Sequence, residues 1–160
     1  EDWGNVWKLI CKWIIDNVQK KRRRRMYLGM MKESNKKLFL ELAYKLACVD
    51  EDYSKAEQEM MKAYCTEMQV SMDICDTNCD VEEILKQMKE ECNGLEKKII
   101  VFETIGLAMA DSVYDKREKA FIDKVLKLFE VEIEYGEDCE EVLGEYFALQ
   151  NRINQLVLDN

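Results

Sequence analysis

The chain has 160 residues, enough for one compact domain, and 48% of them are apolar. Proline is absent and glycine numbers only six, so the chain lacks the turn residues that a many-stranded sheet needs, and helices are predicted. Histidine is also absent, which excludes serine–histidine and cysteine–histidine nucleophile pairs, histidine proton shuttles and histidine-containing zinc sites.

Charge is divided unevenly along the chain. The net charge of −9 is the sum of +5 in residues 1–25 and −14 in residues 26–160. Because nucleic-acid binding relies on neutralising phosphate with cations, no nucleic acid is expected to bind the acidic part. Seven cysteines form no paired framework, which is typical of a reducing compartment, so a cytoplasmic location is predicted, with membrane association left open.

The first segment, residues 1–25, is predicted to be an amphipathic helix followed by a basic run. Its apolar residues recur at steps of three and four, at Trp3, Val6, Trp7, Ile10, Ile14 and Val18. The segment is too short and too charged to span a bilayer, and its charge order does not fit a cleavable signal. Three interpretations stay open: a helix packed on the domain, docking on a partner or, as in a peripheral membrane adaptor, on an anionic membrane surface, and contact with nucleic acid. The membrane contact would use Trp3, Trp7, Trp13, Arg22, Arg23, Arg24 and Arg25.

Seven helices are predicted from the apolar periodicity, at 3–20, 35–49, 54–69, 80–93, 95–110, 115–130 and 138–157. The fourth is predicted to begin with a capping box of Asp80 and Glu83. Asn93 and Gly94 predict a stop or kink before the fifth helix, and Tyr135 and Gly136 predict a turn before the last.

An internal repeat relates two parts of the chain at an offset of 61 residues. Residues 38–70 align with residues 99–131 without a gap, and each copy reads as helix, acidic turn, helix. The matching residues are Leu46, Ala47, Asp50, Tyr53, Lys55 and Glu57 in the first copy and Leu107, Ala108, Asp111, Tyr114, Lys116 and Glu118 in the second. The predicted fold is therefore an all-α, internally duplicated bundle of helical hairpins in residues 26–160, in which the two copies share one core.

The repeated pattern AxxDxxYxKxE, at residues 47–57 and 108–118, resembles the TerB-like family. That family is named for tellurite resistance, is similar to the N-terminal domain of the co-chaperone DjlA, and is all-helical and internally duplicated. Its acidic turn carries an Asp followed by a Glu seven residues later, as at Asp50 and Glu57. Glu51 and Ser112 stand where the family has glycine. The resemblance implies a non-enzymatic stress-response module that binds a protein partner.

The acidic turns supply the candidate site residues. Asp50, Glu57, Asp111 and Glu118 carry hard oxygen ligands that suit a divalent cation such as calcium, magnesium or manganese. The competing interpretation is structural, because Ser54 with Glu57 and Asp115 with Glu118 both spell capping boxes.

Other chemistries find weaker support in the sequence. A metal-dependent carboxylate hydrolase stays open as a second alternative, although no nucleophile motif or phosphate-binding loop is present. Asp76, Asn78 and Asp80 begin like a calcium loop, but Val81 and Gln87 stand at its glycine and glutamate positions. A zinc site at Cys75 and Cys79 would lack a second ligand pair. No catalytic residue is therefore predicted.

Overall fold

The computed structural model describes residues 27–49, 53–72, 80–110 and 116–158, and every regular element in these ranges is helical. A short 3-10 helix, Tyr27–Met30, comes first. Six α-helices follow: α1 Glu33–Ala47, α2 Lys55–Met68, α3 Val81–Glu91, α4 Gly94–Ala108, α5 Lys116–Phe129 and α6 Ile133–Leu158. None of the helices in these ranges is long and apolar enough to cross a membrane.

The all-α fold is confirmed, and five of the predicted helices have ends within two residues of the observed ones. The last helix begins five residues earlier than predicted, at Ile133. The predicted helix at 3–20 and the basic run after it lie outside the described residues. The predicted turn at Tyr135 and Gly136 is wrong, because both residues lie inside the first turn of α6.

The helices confirm the internal repeat at the predicted offset of 61 residues. The bounds of α1 and α2, shifted by 61, are those of α4 and α5. The residue after each second helix, Gln69 and Glu130, has the left-handed backbone that ends a helix, with φ of 58° and 55°. The hydrogen bonds that close these two ends also repeat, from the Val70 amide to the Cys65 carbonyl and from the Val131 amide to the Leu126 carbonyl. The same local structure is therefore formed twice.

The core is built from equivalent positions of the two copies. Leu38, Leu46 and Met61 of the first copy are buried, and so are their counterparts Ile99, Leu107 and Ile122 of the second. In the first copy α1 packs on α2, in the second α4 packs on α5, and α1 packs on α4 between the copies. Helix α3 then packs on α1 and α5, while α6 packs on α4. The first hairpin thus packs against the second and against α3, while the second packs against the first, α3 and α6.

A buried hydrogen-bond network joins the two copies where α1 and α4 begin. Glu96 Oε1 accepts hydrogen bonds from the Lys32 amide at 2.9 Å and from Asn35 Nδ2 at 3.1 Å. Asn35 and Glu96 are equivalent positions of the repeat, and both side chains are buried. Equivalent residues that touch each other lie where two related copies meet. The network therefore sets the register of α1 against α4.

The structure confirms only some of the helix caps that the sequence predicts. The predicted box of Ser54 and Glu57 is confirmed, with hydrogen bonds of 2.8 and 3.2 Å. Asp80 does precede α3, but its side chain makes no cap hydrogen bond, so the predicted box is wrong. A box forms instead at Asn93 and Glu96, where only a stop or kink was predicted. The two glutamates differ in their surroundings, because Glu83 is exposed whereas Glu96 is held in the junction with α1.

Gly136 lies inside α6 at a point where that helix approaches α5 closely. A Cβ added at Gly136 would lie 2.8 Å from Leu126 Cδ1, and Leu126 is a buried core residue. At Gly144, eight residues later in the same helix, the nearest atom would be Met109 Cε at 3.8 Å. The glycine that reads as a turn signal in the sequence therefore serves helix packing.

We expect these two glycines to respond differently to alanine. Gly144→Ala should raise the free energy of unfolding by about 0.5–1 kcal/mol, because alanine is the better helix former and has room. Gly136→Ala should not raise the free energy of unfolding, because Leu126 must move to admit the methyl group. Denaturant unfolding of both variants measures the difference, and equal stabilisation would contradict this packing.

Candidate functional site

The first acidic turn lies between α1 and α2, and the structure describes its two flanks. Its start is held by the Val49 amide, which donates to the Leu46 carbonyl at 2.9 Å. Its end is held by Glu57, which is 3% exposed and whose Oε2 accepts a hydrogen bond from the Ser54 amide. Asp50 lies outside the described residues. Glu57 therefore has a structural task at the turn, whatever else its carboxylate contacts.

The second acidic turn repeats this arrangement between α4 and α5. The Ala110 amide donates to the Leu107 carbonyl at 3.1 Å, as at the equivalent position of the first turn. Glu118 is 4% exposed in the first turn of α5, matching Glu57. Asp111 and Asp115 lie outside the described residues. Two of the four predicted site residues are thus placed, at equivalent and buried positions.

Within the described ranges, no group of three or more Cys, Asp or Glu side chains is arranged to hold a metal ion. Asp50 and Asp111 lie outside these ranges. The cation site predicted at Asp50, Glu57, Asp111 and Glu118 stays a prediction.

A second feature is an apolar groove of about 480 Å³ beside α6, called the α6 groove here. The 3-10 helix, α2, α4 and α6 all contribute to its wall. Its apolar lining includes Tyr27, Met60, Phe102, Val142, Tyr146 and Phe147. Tyr27 meets Phe102 edge to face at a ring distance of 5.7 Å. A large apolar concavity with few polar groups is typical of a binding site for an apolar ligand or side chain.

Glu103 is the buried carboxyl group in the lining of this groove. Its side chain is 6% exposed. Burial, and then the like charge of Glu67, raises the pKa of Glu103 to about 7, while Tyr64 acts in the opposite direction. The Tyr64 hydroxyl donates a hydrogen bond of 2.8 Å to the Glu103 carbonyl oxygen. Burial and the charge of Glu103 also raise the pKa of Tyr64 well above its usual value.

Sequence reasoning missed Glu103, although the repeat contains a signal for it. The equivalent residue of the first copy is Leu42, which is fully buried. An acidic residue in one copy, at a position that is a buried leucine in the other, indicates that the two copies have different surroundings there. The same comparison pairs Tyr64 with Val125, and Tyr64 is the residue that bonds to Glu103. These two departures from repeat symmetry therefore contact each other, and one of them, Glu103, lines the groove.

The described cysteines, Cys48, Cys65, Cys92 and Cys139, are free thiols. Burial raises the pKa of Cys92 to about 11, and it also raises the pKa of Cys65 and Cys139. Because the thiolate is the reactive form, these three thiols stay protonated and unreactive at neutral pH. They behave as small apolar core residues.

Comparison with known proteins gives one family. The family model of tellurite resistance protein TerB matches residues 68–136. This match runs from the end of α2 through the whole second copy to the start of α6, and it includes Asp111 and Glu118. Neither a curated protein nor a solved structure matches the chain.

The family match and the all-helical fold agree with the repeated acidic pattern of the sequence. Most of the first copy, residues 38–67, lies outside the match, and its helices have the same bounds as those of the matched second copy after the 61-residue shift. Residues 68–136 of the chain, which hold the whole second copy, are therefore TerB-like.

Proposed function

We propose that this chain is a non-enzymatic TerB-like module of a stress response, which binds a protein partner and a divalent cation through its two acidic turns. The observation that carries the proposal is the duplication itself. Two hairpins with equal helix bounds each place a buried glutamate, Glu57 or Glu118, beside an acidic turn. The two turns therefore share an aspartate, Asp50 or Asp111, followed seven residues later by a buried glutamate.

Charge supports cation binding at these turns. The first turn contains Asp50, Glu51 and Asp52, and the second contains Asp111 and Asp115, within a region of net charge −14. Carboxylates held close together repel one another, so a bound divalent cation relieves an unfavourable interaction. Glu57 closes its helix cap, so we expect the aspartates to make the main contacts with the ion.

The chemistry of the described residues supports a binding role over a catalytic one. The three thiols discussed above are protonated. Glu103 has a carboxylate neighbour, Glu67, and metal-assisted hydrolysis would need further ligands to hold the ion. Within the described ranges, no cluster of metal-ligating side chains lies beside Glu103.

Cation binding predicts a rise in thermal stability that depends on the turn aspartates. At an ion concentration about 100 times the dissociation constant, binding should stabilise the fold by about 2.7 kcal/mol. We expect calcium, magnesium or manganese to raise the unfolding midpoint of the wild-type protein. The double variant Asp50→Asn/Asp111→Asn should lose the shift.

The matched control for this experiment is Asp80→Asn/Asp123→Asn. It removes the same charge from two exposed aspartates outside the turns and should keep the shift. A sodium chloride series of equal ionic strength separates ion binding from screening. No shift with any of the three ions beyond the salt effect, or equal loss in both double variants, would refute cation binding at the turns.

A further inference from the structure

The apolar surface of α6 continues beyond the α6 groove along one exposed row. The row consists of Val142, Tyr146, Leu149, Ile153 and Leu156, at alternating steps of four and three residues, and these side chains are 50% to 84% exposed. Residues at this spacing lie on one face of a helix. The row, called the α6 stripe here, and the α6 groove share Val142 and Tyr146 and so form one surface. Soluble proteins rarely leave an apolar surface of this kind uncovered.

We propose that residues 1–25 of the same chain cover the α6 stripe and the α6 groove as an amphipathic helix. This inference is separate from the acidic turns, because it uses none of their residues. Four observations point to this segment as the occupant: where it joins the domain, its length, its pattern and its charge.

The attachment point places the segment beside the surface. Tyr27, the first described residue, lines the α6 groove and contacts Phe102. Eight residues lie between Val18, the end of the predicted apolar face, and Tyr27, and the nine residue steps can span about 30 Å. A segment tethered this close reaches the surface at a high effective concentration, so even weak contacts keep it bound.

The two apolar rows match in length. From Val142 to Leu156 the α6 stripe extends over about 21 Å of helix, and from Trp3 to Val18 the N-terminal row extends over about 22 Å. Both rows advance at the spacing that lets two helices pack side by side along their length. The N-terminal row also carries two of the three tryptophans, whose large apolar rings suit a groove.

The charges are complementary. Residues 20–25 are six consecutive cations, and one residue, Met26, lies between them and Tyr27. Glu137, Asp138, Glu141 and Glu145 on α6 are exposed, and none of them forms an ion pair with another described residue.

The same charges disfavour the competing occupant, a second copy of the chain packed α6 against α6. The sequence of α6 contains six acids and one arginine, so this interface would bring two helices of net charge −5 together. The basic N-terminal segment meets no such repulsion.

Tryptophan fluorescence tests this docking directly, because Trp3, Trp7 and Trp13 are the only tryptophans of the chain. In the full chain we expect emission at shorter wavelength and weaker acrylamide quenching than in denaturant. Both values should stay constant on dilution, because the docking is within one molecule. The variant Leu149→Lys/Ile153→Lys should move both values most of the way to those of the denatured chain.

The matched control is Leu95→Lys/Ile133→Lys. It makes the same two residue changes at positions that are 55% and 67% exposed and do not line the groove. Ile133 is nine residues before Val142, about two and a half turns, so it lies on the opposite side of α6. The control should leave the emission and the quenching unchanged, and the helix content of both variants should match that of the wild type.

Three results would overturn the proposal. The first is wild-type emission and quenching already equal to those of the denatured chain. The second is an equal change in the test and control variants. The third is a wild-type dimer that becomes monomeric in Leu149→Lys/Ile153→Lys without a change in emission, which would assign the surface to a second copy. Mass measurement during size-exclusion chromatography distinguishes the third result.

Discussion

Replacing Glu103 with glutamine is expected to raise the free energy of unfolding by about 2 kcal/mol at pH 8. The buried carboxyl group has a pKa raised from 4.5 to about 7, and a shift of this size corresponds to about 3 kcal/mol. Glutamine keeps the shape of the side chain and has no charge to bury. Its amide needs hydrogen bonds of its own, so we expect less than the full amount to be gained.

The same variant should change how stability depends on pH. Because the pKa of Glu103 is higher in the folded state, the native protein binds its proton more tightly than the unfolded chain does. The stabilising contribution of the protonated group is complete below about pH 4.5 and is lost as the pH rises through about 7. Glu103→Gln should therefore remove a decline in stability between these two values.

Denaturant unfolding at several pH values between 4.5 and 8 measures this effect. Glu145→Gln is the control, because it removes the same charge from an exposed position of α6. Glu67 and Tyr64 face Glu103 from α2, so both must remain unchanged in the comparison. If the wild type and Glu103→Gln show the same dependence of stability on pH, the claim that burial raises the pKa of Glu103 is wrong.

Replacing Glu96 with alanine is expected to lower the free energy of unfolding by about 3 kcal/mol. Its two oxygens accept hydrogen bonds from the amides of Lys32 and Asn93 and from the side chain of Asn35. Removing an acceptor leaves buried donors unpaired, which costs more than the hydrogen bonds themselves contribute. This one carboxylate caps α4 and also ties it to α1, so both roles are lost together.

Glu83→Ala is the matched control. Glu83 is the third residue of α3, as Glu96 is of α4, but it is exposed and no capping box forms at the start of α3. We expect it to change stability by less than about 0.5 kcal/mol. Equal costs at Glu83 and Glu96 would show that the junction between the copies contributes nothing. Unfolding in urea, with a check that the slope is unchanged, gives both values.

The contribution of Glu96 to stability should depend on pH and be lost in acid. Burial would raise the pKa of this carboxyl group, but hydrogen bonds from the Lys32 and Asn93 amides and from Asn35 outweigh burial and lower it. A group with a lowered pKa stabilises the fold above its unfolded pKa and loses that contribution as the pH falls through its folded value. The cost of Glu96→Ala should therefore diminish in acid.

The sequence predicted the helices and the repeat because both depend on local patterns. Residues such as Leu38, Leu42 and Leu46 recur at helical spacing, and two of these three positions are apolar again 61 residues later, at Ile99 and Leu107. What local patterns could not decide was which helix packs against which surface. Gly136 reads as a turn residue until α5 is known to lie against it, and the Asp80 box is spelled correctly but does not form.

The site was predictable to a lesser degree. The capping role of Glu57 follows from four residues of sequence, and the structure confirms it. Glu103 lies in a helix where a carboxylate ordinarily faces water, and its burial depends on contacts with α2 and α6 that no local pattern contains. Membrane contact through residues 1–25 and cation contact through Asp50 and Asp111 stay predictions, because these residues lie outside the described ranges.

The most direct test of the proposed function is a manganese-soaked crystal with the anomalous signal mapped onto the acidic turns. We predict two peaks, one near Asp50 and one near Asp111, each within ligand distance of carboxylate oxygens. The two peaks should be related by the same operation that superimposes the two hairpins. A map without signal at either turn, at an ion concentration that raises the unfolding midpoint, would contradict the proposal.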